Sequence, residues 1–170
     1  LGGIVHSESV KIAGSTFDEA IIKFIRRKYN ILVGERTAEE LKVKIGCAAK
    51  RDKLLAMDVR GRSLISGLPK TLQITSDEVY EALSEPAGTI VDSIKNVLED
   101  TPPELVGDIS ARGIILTGGG ARLHGIGRRI QAETGIKTVV AESPNECVAL
   151  GTGKALENLN LIKNYNGCRA

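Results

Sequence analysis

The stretch Leu116-Thr-Gly-Gly-Gly-Ala-Arg-Leu-His-Gly125 constrains the fold more than any other part of the chain. Three consecutive glycines stand between a short apolar run, Ile114 to Leu116, and a helical pattern through Ile126 and Ile130. That order predicts a buried strand, a tight loop and a helix. Glycine lacks the Cβ that would keep a ligand off the backbone, and the amides opening the helix carry partial positive charge. A nucleotide can lie against such a loop, although a ligand-free turn uses the same residues. It is not a P-loop, because no Gly-Lys-Ser/Thr follows, and its spacing does not match the Gly-x-Gly-x-x-Gly of dinucleotide folds. A strand at Thr138 to Ala141, a turn at Ser143-Pro144 and a last helix carrying Val148, Leu150, Ala155, Leu156 and Leu159 follow. Strand, helix, strand, helix in this order marks an α/β unit.

The earlier part reads differently. Ile4 to Ala13 alternates at strand period and ends at Gly14. Thr16-Phe-Asp-Glu19 predicts a capping box before an amphipathic helix over residues 17–29. Lys23, Arg26, Arg27 and Lys28 lie toward the end of that helix, where cations complement its dipole. After Gly34, Thr37-Ala-Glu-Glu40 predicts a second capping box, with Ala38, Leu41 and Ile45 on one face. Leu55, Met57 and Val59 alternate, Gly61-Arg62 predicts a turn, and Leu72 with Ile74 closes a hairpin, in which Gly67 and Pro69 mark a bulge or an edge. Residues 17–75 therefore form a small α+β lobe. Thr75-Ser-Asp-Glu78 opens a long helix with Val79, Leu83, Ala87, Ile90, Ile94 and Val97 on its apolar face. Pro86 predicts a kink or break within it, and Thr101-Pro-Pro ends it.

Composition narrows the function. The 170 residues are 42% hydrophobic with two Phe, three Tyr and no Trp, so the core is aliphatic. A net charge of +2 is too mild for nucleic acid, where a dense basic face must displace counterions. No apolar run reaches the ~20 residues that cross a bilayer. Cys47, Cys147 and Cys168 form no Cys-x-x-Cys pair, which argues for free thiols, and His6 and His124 fit solvated or packing roles. No nucleophile elbow, paired-carboxylate site or Ser/His/Asp order locates hydrolytic chemistry. The chain begins at Leu1 and its only methionine is Met57, so a processed chain or a piece of a longer protein is expected.

Several segments together resemble the bacterial actin-like filament proteins of the MreB and Mbl type. They run collinearly: Ile12-Ala-Gly-Ser-Thr-Phe-Asp-Glu-Ala-Ile-Ile22, Gly34-Glu-Arg-Thr-Ala-Glu-Glu-Leu-Lys42 with Ile45-Gly46, Val59-Arg-Gly-Arg62, Gly67-Leu-Pro69, Thr101-Pro-Pro-Glu-Leu105, Leu116-Thr-Gly-Gly-Gly-Ala121 and Cys147-Val-Ala-Leu-Gly-Thr-Gly-Lys-Ala-Leu-Glu157. The resemblance implies an α/β fold of the actin/Hsp70 ATPase type, ribonuclease H-like, present here as the second lobe. An inner subdomain from residues 1–16 and 76–170 would carry the inserted outer subdomain 17–75. It further implies an ATP-binding cytoskeletal protein, polymerising in the cytoplasm beneath the inner membrane and organising cell-wall synthesis and rod shape. Its partners would be other filament subunits and membrane-linked cell-wall and morphogenesis proteins, not nucleic acid.

By position, Gly118, Gly119, Gly120, Ala121 and Arg122 resemble the family's adenosine-contacting loop. Glu39, Glu40, Leu41 and Lys42 resemble the segment that closes over adenine and ribose, with Glu39 and Lys42 the polar contacts. The bland alternative for those two is a solvated i,i+3 ion pair. The family's phosphate loops and water-positioning residue do not occur in this sequence, so Mg2+, held through the phosphates, and membrane contact would involve residues outside it. Hydrolysis by these residues alone is not expected. Strands 5–13 and 113–117 would lack central neighbours, which predicts a marginal or self-pairing isolated chain. Two other readings stand beside this one: a dinucleotide-dependent oxidoreductase domain, which wants the missing glycine spacing, and an interaction lobe that works without nucleotide.

Overall fold

The structure, a computed structural model, describes residues 4–157. In chain order the elements are α1 (Gly14–Tyr29), β1 (Ile31–Leu32), α2 (Glu35–Lys44), β2 (Ala56–Ser63), β3 (Pro69–Thr75), α3 (Ser76–Glu99), α4 (Pro103–Arg112), β4 (Ile114–Leu116), a 3-10 turn (Gly119–Arg122), α5 (Ile126–Thr134), β5 (Thr138–Val140) and α6 (Cys147–Glu157). β1, β2 and β3 form an antiparallel sheet in that order. β4 and β5 pair in parallel, with α5 as their crossover.

The core is aliphatic, as the composition requires. Ile21, Ile25, Ile31, Leu41, Ile74, Leu83, Val79 and Val91 are wholly buried, and Phe17 and Phe24 supply its aromatic part. One cluster runs from α1 and α2 through α3 to Ile126 and Ile130 of α5, so α3 is the spine shared by both sheets. Its start is well specified by sequence. Thr75 caps the helix, accepting from the Glu78 amide at 3.4 Å, while the Thr75 amide donates to Glu78 Oε2 at 2.9 Å. The helix continues unbroken past the buried Pro86 and stops before Thr101. α1 keeps its predicted apolar face, Phe17, Ile21, Phe24 and Ile25, and its basic last turn.

Several expectations are corrected. Residues 4–13 form no strand: their side chains are mostly exposed, and no ladder partner exists among the described residues. Alternation is a local property, whereas a strand needs a neighbour to take its amides and carbonyls. α1 begins at Gly14, with Ala13 as N-cap; Thr16 stands at the third helical position and accepts the Ala13 amide at 3.3 Å. α2 likewise begins at Glu35, with its N-cap Gly34 three residues before Thr37. Neither threonine is a cap. Gly61 and Arg62 lie inside β2, paired with Lys70 and Pro69, and the hairpin turns at residues 64–68. Gly61 is there because β1 approaches closely: a Cβ would stand 2.4 Å from Ile31 Cγ2 and 2.6 Å from the Leu32 carbonyl oxygen. β1 and α4 carry no signal that the sequence reading used. Leu159, Cys168 and the chain ends of the proposed inner subdomain lie outside the described residues.

Candidate functional site

β4 delivers the chain into Thr117 and Gly118, whose φ of 80° is a conformation that side-chain-bearing residues rarely adopt. The Gly118 amide donates to the Pro144 carbonyl at 2.7 Å, which ties the loop to the turn after β5. Gly119 to Arg122 then make the 3-10 turn and expose the Gly119 and Gly120 backbone. At Gly125, with φ of 78°, a Cβ would meet Ala49 Cβ at 2.8 Å. Here the loop docks on the segment that follows α2. The Ala48 amide donates to the His124 carbonyl at 2.7 Å, beside a parallel bridge between Cys47 and His124.

This docking closes a cavity of about 1020 Å³ with the glycine loop on one side and α2 on the other. Glu39, Lys42, Gly119, Gly120, Ala121 and Arg122, all expected from sequence, line it. Gly118 supports the loop from behind and does not line the cavity. Leu41 faces the opposite way, wholly buried in the core, and Glu40 pairs with Lys44 at 3.2 Å and Arg36 at 3.5 Å. A helix turns by about 100° per residue, so four consecutive residues cannot share one wall. Arg51, Asn145, Gly14 and Phe17 also line the cavity and stood in no expected site. Apart from Gly14 and Phe17, which fall in the first matched segment, they belong to no recognisable motif.

Lys42 does not pair with Glu39. Its Nζ donates to Asp18 Oδ2 at 2.8 Å and to the Gly14 carbonyl at 3.0 Å, with the two side chains only 17% and 15% exposed. The ion pair therefore links α2 to the first turns of α1 and holds the ammonium on the cavity wall. Replacing Lys42 by Met strands the Asp18 carboxylate, whose Oδ1 already lacks a partner among the described residues. The expected cost is about 2 kcal/mol in urea unfolding, partly recovered in the double variant with Asp18→Asn. Equal stability of single variant and wild type would show that solvent screens the pair.

His124 is held below its usual range, first by burial and then by the charges of Arg51 and Arg128, so it is neutral near pH 7. Burial pushes the Cys47 thiol up, against the opposing influence of Arg51, which leaves it a protonated packing group rather than a nucleophile. No His/Cys/Asp/Glu cluster able to hold a metal occurs among the described residues. None of their helices is long and apolar enough to cross a membrane.

A parallel βαβ unit whose glycine loop faces an inserted helix-and-hairpin unit across a cavity is the arrangement of one lobe of an actin-like ATPase fold. The structure of MreB5 of Spiroplasma citri bound to ADP has that fold: it superposes with a TM-score of 0.89 at 39% identity, covering 93% of this chain and 48% of that one. The same protein has been solved bound to AMPPNP. The family model described as MreB/Mbl protein matches residues 1–164, and the chain belongs to that family. It is 50% identical over 161 residues to the cell shape-determining protein MreB of Escherichia coli and 48% identical over 162 to Mbl of Bacillus cereus. These matches cover 95% of this chain but 46% and 49% of the relatives, so the chain spans about half their length.

Proposed function

We propose that this chain forms the adenosine-holding wall of an ATP-binding, filament-forming cell shape protein. The observation that carries the reading is the convergence of Glu39 and Lys42 with Gly119, Gly120, Ala121 and Arg122 on one cavity. The pocket suits the ligand: a Cβ at Gly120 would meet nothing within 4 Å, and one at Gly119 only Asn145 Oδ1 at 3.7 Å, so the backbone faces open space. When bound, ATP would bring phosphates and Mg2+, whose ligands the resemblance assigns outside these residues. Arg122 and Lys42 would supply polar contacts, and the exposed loop backbone would lie against base and ribose. Residues 17–75 would act as an outer subdomain and the remainder as an inner one, joined through α3.

Self-association follows the same reading. The exposed hairpin carries Arg60, Arg62 and Lys70 against a single acid, Asp58, and Leu64, Ile65 and Leu68 are exposed at its tip. Between Asn96 and Ala111, at the junction of α3 and α4, Glu99, Asp100, Glu104 and Asp108 are exposed with no base. Surfaces of opposite charge on one chain favour head-to-tail contact between copies, the kind that generates open filaments. Such filaments would lie in the cytoplasm beneath the inner membrane with cell-wall synthesis proteins as partners.

Calorimetric titration of the full-length protein with ADP, AMPPNP and NAD tests the site, and sedimentation with ATP tests assembly. Binding of both adenine nucleotides but not NAD is expected, with a pellet that shrinks as salt screens the charged surfaces. Failure to bind ADP and AMPPNP while pelleting persists would favour an interaction lobe that works without nucleotide.

A further inference from the structure

A groove of about 400 Å³ lies between α1 and α3 and shares only Ile12 with the cavity beside the glycine loop. Lys28 of α1 pairs with Glu78 of α3 at one end, while Gly14 and Phe17 share a wall with Ile90 and Ile94 at the other, so the two helices run antiparallel. The floor is made by Ala20 and Phe24 of α1 with Ala82 and Pro86 of α3. One alanine from each helix keeps it hollow. Lys23 and Arg27 stand exposed on the α1 wall, and Glu81 and Glu85 stand exposed on the α3 wall. Among the described residues no ion pair joins these two rows. Lys23 reaches only Glu19 of its own helix, at 3.6 Å, an exposed pair of small worth. Opposite charges held apart over an apolar floor leave each row to be answered by something seated between them.

The charges narrow the choice of occupant. Anionic lipid or nucleic acid would be drawn to Lys23 and Arg27 but repelled by Glu81 and Glu85. A fitting occupant carries acid along one edge, base along the other and apolar side chains between. Its backbone narrows the choice further. The helices lining the groove spend their own amides and carbonyls internally, so an extended segment would find no ladder partner, whereas a helix brings its hydrogen bonds with it. From Thr16 to Arg27 the α1 wall runs about 16 Å, or about three helical turns, and a third helix seats its side-chain ridges in such a groove. We propose that the groove between α1 and α3 docks an amphipathic helix of a partner protein, its apolar stripe on the Ala20 and Ala82 floor, its acidic edge against Lys23 and Arg27 and its basic edge against Glu81 and Glu85. So short a helix buries less surface than a permanent interface, which makes the contact a transient one.

The test uses the full-length protein and stapled helical peptides that share one Leu/Ala stripe. One peptide has glutamates along one edge and lysines along the other, one has lysines on both edges, and one has glutamates on both. By fluorescence anisotropy the mixed peptide is expected to bind wild type about tenfold more tightly than either of the others. In the double variant Lys23→Glu with Arg27→Glu both walls are acidic, and the preference should pass to the all-lysine peptide. Ala82→Leu fills the floor and should remove binding of the mixed peptide. If Ala82→Leu does not fold in a thermal melt, the charge reversal still decides, because it changes exposed side chains only. Equal binding of the three peptides, no binding of the mixed one, or a preference that charge reversal leaves unmoved would overturn the proposal. Binding to phosphatidylglycerol vesicles that charge reversal removes would assign Lys23 and Arg27 to a membrane surface. Loss of ATP-dependent pelleting in the same variant would assign the groove to a contact between copies of the chain. Either result also overturns it.

Discussion

Gly119→Val is expected to leave the free protein folded and to weaken adenine-nucleotide binding by about 100-fold or more, a loss of about 2.7 kcal/mol. The first half of that expectation comes from the local geometry. Gly119 is exposed and is not among the positive-φ glycines, and a Cβ there would have only Asn145 Oδ1 nearby, at an ordinary contact distance of 3.7 Å. The second half comes from the ligand. A β-branched side chain on the loop would occupy the space where base and ribose come against the backbone, and a close backbone approach tolerates no side chain. Gly118→Val is the control. With φ of 80°, that position resists any side chain, so its cost of about 1–2 kcal/mol falls on folding before any ligand is added. Measured together by thermal melting and ADP titration, the two variants separate a loop built for a ligand from a loop built only to turn the chain. ADP affinity of a well-folded Gly119→Val equal to wild type would sink the assignment of this cavity.

Where sequence reasoning held and where it slipped follows from the range over which each signal acts. The cap of α3 was legible because Thr75 and Glu78 satisfy each other within four residues. The same Thr-x-x-Glu spacing misled at Thr16 and Thr37, because it cannot tell a threonine at the cap from one in the first turn; Ala13 and Gly34 end up as N-caps with no side-chain bond of their own. Gly61 looked like a turn residue, but its reason is the approach of β1, a contact between segments thirty residues apart in sequence. The alternation over residues 4–13 could not reveal that no neighbouring strand among the described residues takes up those amides. In the site, the glycine loop and the acidic and basic positions of α2 were legible through the family resemblance. The Asp18 partner of Lys42 and the place of Arg51 were not, since both depend on how α1, α2 and the following loop pack in space.

Acidification from about pH 5 to 2 is expected to remove about 3 kcal/mol of stability through one carboxylate, Glu78, and Glu78→Gln should abolish that part of the pH dependence. Glu78 stands where the end of α1 meets the start of α3. Burial is the largest single influence on it and pushes its carboxyl up, but the Lys28 ammonium at 2.8 Å, the Tyr29 hydroxyl, and the amide and hydroxyl of Thr75 together outweigh burial and hold it at about 2. The same contact raises the Tyr29 hydroxyl, which therefore stays protonated and remains a donor across the physiological range. The sign follows from the lowered value. Since the folded carboxyl lies below the ordinary 4.5, the unfolded chain takes up protons first as pH falls. The contribution is complete above about pH 5 and disappears as pH falls through the folded value near 2. Glutamine preserves the reciprocal cap with Thr75, because its amide oxygen can still accept the Thr75 amide, so the substitution isolates the charge. At pH 7 it should lower the melting temperature by roughly 5–10 °C for a chain of this size. Lys28→Met should reproduce only part of that loss, because Tyr29 and Thr75 still donate to the carboxylate, and because Lys28, 44% exposed in its side chain, is screened by water. If Glu78→Gln melts like wild type at pH 7 and both lose stability in parallel down to pH 2, the carboxylate does not hold α1 on α3, and acid sensitivity must come from elsewhere in the chain.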